Sequence, residues 1–266
     1  MATRPQAAAC IEQGQVLVSG SVADKASRMV APAEPIELVG LPPRFVSRGG
    51  DKLHAALIRF GIDVGGRRAL DAGASTGGFT DCLLQAGAHS VVAVDVGRGQ
   101  LHPRIRGDGR VDVHERLDIR DVTLETVGGL PVDLVTADLS FISVTRAVPA
   151  LVGEAVVPGS PLVILVKPQF EAGRVEASRG KGIIRDPGIH RRTLLEVCGT
   201  LSRAGADIVG VMPSPLTGSA GNLEFLLYAR TPATDRSGAD PTDTRDGVPD
   251  LVDRAVAEAH DKKGSG

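Results

Sequence analysis

Between residues 67 and 230, short runs of β-branched and aliphatic residues alternate with helix-like segments, which restricts the chain to an α/β architecture on a mostly parallel sheet. The expected strands are 67–72, 90–96, 111–117, 132–139, 161–167, 208–215 and 222–230. Helices fill the gaps, most clearly 77–86 and 187–204, where Leu194, Leu195, Cys198 and Leu201 recur at helical spacing. Only the last two strands lack room for a helix between them, because residues 214–222 are turn chemistry throughout. Those two are therefore expected to pair antiparallel. On open sheets of this kind ligands bind beyond the carboxyl ends of the strands, so polar residues there are the first functional candidates.

A chain of 266 residues with 42% hydrophobic content can bury one full core and carry a small accessory module. Residues 1–40 read as that module, with a helix at 5–13, a tight hairpin at 16–22 and a strand at 36–39. Pro42 and Pro43 mark a linker over 41–50, the main domain spans 51–231, and 232–266 is too polar to order itself except for one short helix. That helix rests on Val248, Leu251, Val252, Ala255, Val256 and Ala259. The three cysteines, Cys10, Cys82 and Cys198, have no paired spacing, so neither zinc nor any other metal is expected and a reducing cytoplasm fits best. The run Leu162 to Val166 is far shorter than the roughly 20 residues of a membrane span. No basic start followed by an apolar stretch opens the chain, so a soluble protein with no membrane partner is expected. Oligomeric state has no signature here.

The segment Leu70-Asp-Ala-Gly-Ala-Ser-Thr-Gly-Gly-Phe-Thr80 runs from an apolar strand through a glycine-rich turn into a helix. Gly73, Ser75, Gly77, Gly78 and Phe79 would let backbone approach a ligand at a helix N-terminus, although tight packing is the competing explanation. Asp95 ends the second strand at the spacing where an acid binds ribose hydroxyls in nucleoside-cofactor folds. Asp71 either caps the loop or faces the amino group or sulfonium of S-adenosylmethionine, whereas a pyrophosphate would be repelled by it. Asp118 fits two readings equally, as an acceptor for an adenine amino group or as a helix cap.

Asp138 and Lys167 close the fourth and fifth strands and should converge on one crevice, with Asp138 also within reach of a cofactor there. A lysine ending an apolar strand is costly to bury unless paired, which disfavours accident. Glu224 in the last strand and Lys52 in the helix before the first complete two lysines and two acids around one site. The runs Ser47-Arg-Gly-Gly-Asp-Lys-Leu53, Asp71-Ala-Gly-Ala-Ser-Thr-Gly-Gly-Phe-Thr80, Ala137-Asp-Leu-Ser-Phe-Ile-Ser143, Leu165-Val-Lys-Pro-Gln-Phe-Glu171 and Gly221-Asn-Leu-Glu-Phe225 closely resemble the TlyA (haemolysin A) family of ribosomal RNA 2′-O-methyltransferases, in the family's order. The resemblance spans residues 4–230. It implies an FtsJ-like, class I methyltransferase fold with seven strands and an antiparallel last strand. It also implies S-adenosylmethionine as methyl donor, ribosomal RNA or ribosomal subunits as partner, and a Lys-Asp-Lys-Glu tetrad at Lys52, Asp138, Lys167 and Glu224. A ribose hydroxyl is a poor nucleophile at neutral pH, so a general base must take its proton, and Lys167 is assigned that role.

Residues 1–40 also resemble the later part of an RNA-binding module shared with a ribosomal small-subunit protein and pseudouridine synthases, in a form shortened by one helix. Arg98, Arg104, Arg106 and Arg110 form one basic stretch, and residues 174–192 a second beside the acceptor crevice. Arg4, Arg48, Arg174, Lys181 and Arg185 are the candidate phosphate contacts, against the default of a solvated face. Phe141 and Phe170 are the candidate contacts to a base or ribose. An amino-group methyltransferase fits less well, since Asp138-Leu-Ser-Phe141 lacks the two prolines such enzymes place there. A nicotinamide oxidoreductase is disfavoured by Asp71 and the hairpin-closed sheet. A non-catalytic RNA-binding or ribosome-assembly factor and a membrane-active haemolysin are the alternatives from other classes.

Overall fold

The computed structural model describes residues 4–23, 25–31, 33–39, 43–173, 176, 182–218, 220–233 and 247–264. The chain divides into two units, Met1–Arg44 and Phe45–Gly266.

In the first unit, α1 (Arg4–Glu12) precedes β1 (Val16–Val18), β2 (Ser21–Val22) and β3 (Ile36–Leu38). β1 lies between the other two strands and pairs antiparallel with both. Ser19 and Gly20 take positive φ of 52° and 78°, the backbone signature of a two-residue hairpin turn whose twist matches its strands. The small core joins Cys10 of α1 to Val16, Val18 and Ala23.

The second unit opens with α2 (Arg48–Phe60), which begins inside the stretch expected to be linker, and continues through β4 (Arg68–Ala72), α3 (Gly78–Gln85), β5 (Ser90–Asp95), α4 (Pro103–Arg106) and β6 (Val111–Glu115). Next come β7 (Leu134–Ala137), α5 (Val148–Leu151), β8 (Pro161–Val166), α6 (Pro168–Glu171), α7 (Pro187–Arg203), β9 (Asp207–Pro213), β10 (Phe225–Arg230) and α8 (Val248–Gly264). Short 3-10 turns occupy Ile119–Asp121 and Val144–Arg146.

The seven strands lie in the order β6-β5-β4-β7-β8-β10-β9, with β10 antiparallel to both its neighbours. All six residues of β8 are buried, as a central parallel strand covered on both faces requires. One face packs Leu70, Val92, Val135, Ile164 and Leu227 against α7 and α8, and the other packs Ala69, Val91, Leu134, Leu165 and Leu226 against α2 and α3. α7 starts where Asp186 accepts from the Gly188 N–H at 2.7 Å and Pro187 fills the first helical position, an N-terminus readable from sequence. α8 runs past the short helix expected and puts Val248, Val252, Ala255, Val256 and Ala259 into the core.

Two strand boundaries differ in ways that matter for the site. β6 stops at Glu115 because Arg116 turns left-handed at φ 60°. β10 starts at Phe225 rather than residue 222, since Asn222 accepts the Gly218 N–H as part of the preceding turn.

Candidate active site

Strand parity brings the charged residues together. Side chains two apart on a strand share a face, and Ala69, Leu134, Val163, Leu165, Leu226 and Tyr228 all belong to the cluster beneath α2 and α3. Asp71, Asp138, Lys167 and Glu224 continue those series, so all four face the same side, at or near the carboxyl edge of the parallel strands. Phe225 pairs with Val166, and one further step of that register sets Glu224 opposite Lys167.

Lys52 descends from α2 onto this edge, its Nζ 2.5 Å from Glu224 Oε2, with side chains only 10% and 3% exposed. Lys167 Nζ lies 2.6 Å from Asp138 Oδ1 and donates to Ser140 Oγ at 2.8 Å. The Lys167–Asp138 contact is a close ion pair rather than an aligned hydrogen bond, since buried Asp138 Oδ1 lacks a hydrogen-bond partner of acceptable angle. The tetrad is thus two ion pairs on adjacent strand ends.

Beside it opens a cavity of about 460 Å³, lined at the ends of four adjacent strands by Gly73, Asp95, Asp118 and Asp138. Ser75, Gln100, Phe141 and Arg146 complete much of its wall. Gly73 has φ 84°, and a Cβ there would stand 2.6 Å from the Asp138 carbonyl oxygen, so only glycine permits this join of β4 to β7. Asp95 accepts from the Ser75 N–H at 2.8 Å and the Gly97 N–H at 2.6 Å, which fixes its carboxylate at the cavity wall. Asp118 lines the cavity and accepts from the Arg120 N–H, capping the 3-10 turn as its second reading expects. Hydrogen bonds from the Arg120 guanidinium and N–H hold its pKa down at about 2.

Four residues assigned to the cofactor do not line this cavity: Asp71, Gly77, Gly78 and Phe79. A Cβ on Gly78 would meet Ser47 Oγ at 2.2 Å and one on Gly77 would meet Leu101 at 2.9 Å, so both glycines serve close packing. Phe79 is a core residue, 3% exposed. Asp71 points into the interior rather than to the cavity wall. It is wholly buried, with Thr80 Oγ1 donating to its carboxylate at 2.6 Å and Thr136 Oγ1 at 3.3 Å.

Burial pushes the Asp71 pKa up to about 7, with nearby Asp138 adding to the effect against the two threonines. A folded-state value above the unfolded one means that Asp71 leaves stability unchanged below about pH 4 and lowers it as pH rises towards 7, by an amount on the order of 4 kcal/mol. Asp71→Asn is accordingly expected to melt above the wild type at pH 8 and to show a shallower fall in melting temperature between pH 5 and 8. Parallel melting profiles for the two proteins would refute this.

Of the candidate phosphate contacts, Arg48 is exposed and donates to the Thr217 carbonyl at 2.6 Å, tying the first turn of α2 to the loop before Glu224. Arg185 is exposed beside Asp186 and Arg192. Arg174 and Lys181 lie outside the described residues, and Arg4 is described only as the first residue of α1. Phe141 is 93% exposed at φ 66°, with its ring centroid 5.5 Å from that of Phe170. A left-handed phenylalanine costs about 1–2 kcal/mol, and this one also exposes a large apolar ring.

Sequence reasoning gave no role to Ser140, Gln100, Arg146 or Glu171. Ser140 and Glu171 sit inside quoted motifs, but their partners lie 27 or 28 residues away and only register reveals them. Among the described residues no group of three or more His, Cys, Asp or Glu is placed to hold a metal, and no helix is long and apolar enough to cross a membrane.

A family model described as FtsJ-like methyltransferase matches residues 45–231. The 16S/23S rRNA (cytidine-2′-O)-methyltransferase TlyA of Mycobacterium tuberculosis strain H37Rv is 46% identical over 257 residues, covering 96% of this chain and 92% of that protein. A solved structure of a candidate haemolysin from Streptococcus thermophilus is 35% identical and superposes with a TM-score of 0.75 over 100% of this chain and 94% of that one. A candidate S-adenosylmethionine-dependent methyltransferase from Listeria monocytogenes shares the fold at 15% identity, with a TM-score of 0.51 over 69% of this chain and 98% of that one. The sheet is that of class I methyltransferases.

Proposed function

The chain belongs to the FtsJ-like methyltransferase family, and from that premise we propose that it transfers a methyl group from S-adenosylmethionine to the ribose 2′-hydroxyl of a cytidine in ribosomal RNA. The observation that carries this reading is the pair of ion pairs, Lys52–Glu224 and Lys167–Asp138, side by side on the strand edge that also borders the cavity.

The cavity suits the donor on its own chemistry. Its volume is in the range of small-molecule sites, Asp95 offers a carboxylate for vicinal hydroxyls, and Asp118 offers one for an amino group. Asp138 places negative charge where a sulfonium and an ammonium would be favoured. When bound, the donor supplies an electrophilic methyl. Asp95→Ala is expected to weaken S-adenosylmethionine binding by about 10- to 100-fold, the worth of hydrogen bonds to a charged group. Titration calorimetry checks it, and unchanged affinity would remove Asp95 from the site.

For the acceptor, Lys167 as the neutral amine would take the hydroxyl proton while the carbon–oxygen bond forms and the carbon–sulfur bond of the donor breaks, leaving S-adenosylhomocysteine, with Asp138 and Ser140 holding its Nζ. Lys52 and Glu224 set the charge and position of the neighbouring strand end. Phe141 and Phe170 offer ring faces at the rim for the target base. Arg48 and Arg185, with Arg4, Arg174 and Lys181, are assigned to phosphates, and the first unit to further RNA. The direct test incubates the protein with methyl-tritiated S-adenosylmethionine and ribosomal subunits from cells lacking it, then maps label by nuclease digestion and mass analysis. Label on a cytidine ribose is the expected result, and label on a base, or none, overturns the proposal.

A further inference from the structure

Two clasps hold the loop between β7 and the 3-10 turn at Val144–Arg146. The first is Lys167, which engages Asp138 and Ser140. The second is Glu171, whose carboxylate accepts from Ser143 Oγ at 2.6 Å and from the Val144 N–H at 2.9 Å. Both clasps belong to one short segment, since Lys167 caps α6 and Glu171 ends it. Between the anchored residues stands Phe141, exposed and left-handed, with Phe170 of the same α6 against its ring.

A strained, solvent-facing aromatic persists only where its surroundings over-determine it. Without Glu171 nothing described on α6 would hold the far side of that loop except the ring of Phe170. Burial pushes the Glu171 pKa upward, so the carboxylate is kept from water at some cost, which the two loop donors offset. We infer that Glu171 is a positioning residue for the methyl acceptor: it acts through Ser143 and Val144 to fix Phe141 and Ser140, and so couples the seat of the target nucleotide to the segment that carries Lys167. The inference rests on the ribose-methylation reading above.

A double-mutant cycle between Glu171→Ala and Phe141→Ala tests it, with kcat and KM for ribosomal RNA as readouts. Glu171→Ala should lower kcat/KM about tenfold or more, and the double variant should fall no lower than Phe141→Ala alone. Glu171→Gln keeps an acceptor for the Val144 N–H and should retain at least half of wild-type kcat/KM. Losses that multiply, or wild-type kcat/KM in Glu171→Ala, overturn the inference. If Glu171→Ala does not fold, Ser143→Ala removes one of the same bonds from the loop side and enters the same cycle. Hydrogen exchange needs no activity: the Val144 amide should exchange at least tenfold faster in Glu171→Ala than in the wild type or Glu171→Gln, and unchanged protection refutes the clasp. A wild type that binds S-adenosylmethionine but methylates no RNA overturns the functional reading and the acceptor role with it, whereas multiplying losses in an active wild type overturn only the role of Glu171.

Discussion

Lys167→Ala is expected to reduce methyl transfer to ribosomal RNA by about 10²–10⁴-fold while S-adenosylmethionine still binds, because a positioned general base is worth that much to a hydroxyl nucleophile. Lys167 Nζ is held by Asp138 and Ser140 with its side chain 12% exposed, so a donated proton has a defined destination. Charge alone is a rival explanation, because an ammonium beside the acceptor would also favour a developing alkoxide. Lys167→Arg separates the two. Arginine keeps the positive charge but cannot take up a proton, so it should be as inactive as alanine. Turnover of the arginine variant within about tenfold of the wild type would assign Lys167 an electrostatic role instead. Calorimetry with S-adenosylmethionine on both variants ensures that lost turnover is not lost binding.

Local pattern carried most of the sheet, since parallel strands buried on both faces leave apolar runs too regular to mistake, and the turn chemistry of residues 214–222 forces the last pair antiparallel. Asp138 and Lys167 were legible for the same reason, as charged residues closing apolar strands stand out, whereas Lys52 lies on α2 and the tetrad as a set came from the family resemblance. Sequence could not say what each glycine approaches. Gly73 admits the neighbouring strand at the cavity, whereas Gly78, five residues on, admits Ser47 at the start of α2, yet both read alike as a glycine-rich turn. Asp71 shows a different limit: parity puts it on the face that carries Asp138 and Lys167 but one layer below the edge, where Thr80 and Thr136 occupy its carboxylate. Glu171 was invisible because its partners belong to another strand connection.

Removing either member of the Lys52–Glu224 pair is expected to destabilise the second unit by roughly 3–5 kcal/mol, because the survivor becomes a buried charge without its counter-ion. The surroundings leave little relief, since both side chains are at most 10% exposed and Gly218 lies so close over Glu224 that a Cβ there would stand 2.4 Å from Oε1. At this size 1 kcal/mol moves the melting temperature by about 2–4 °C, so Lys52→Met or Glu224→Leu should each melt roughly 6–20 °C below the wild type. The pair itself contributes much less than that, as desolvating two ions offsets most of their attraction. Lys52→Met combined with Glu224→Leu should therefore melt closer to the wild type than either single variant does. Its methyl transfer should stay lost, because the strand end opposite Lys167 no longer carries charge. A double variant that melts as low as the sum of the two single losses would show that the pair does not act as a unit, and one that regains methylation along with stability would confine Lys52 and Glu224 to holding the fold.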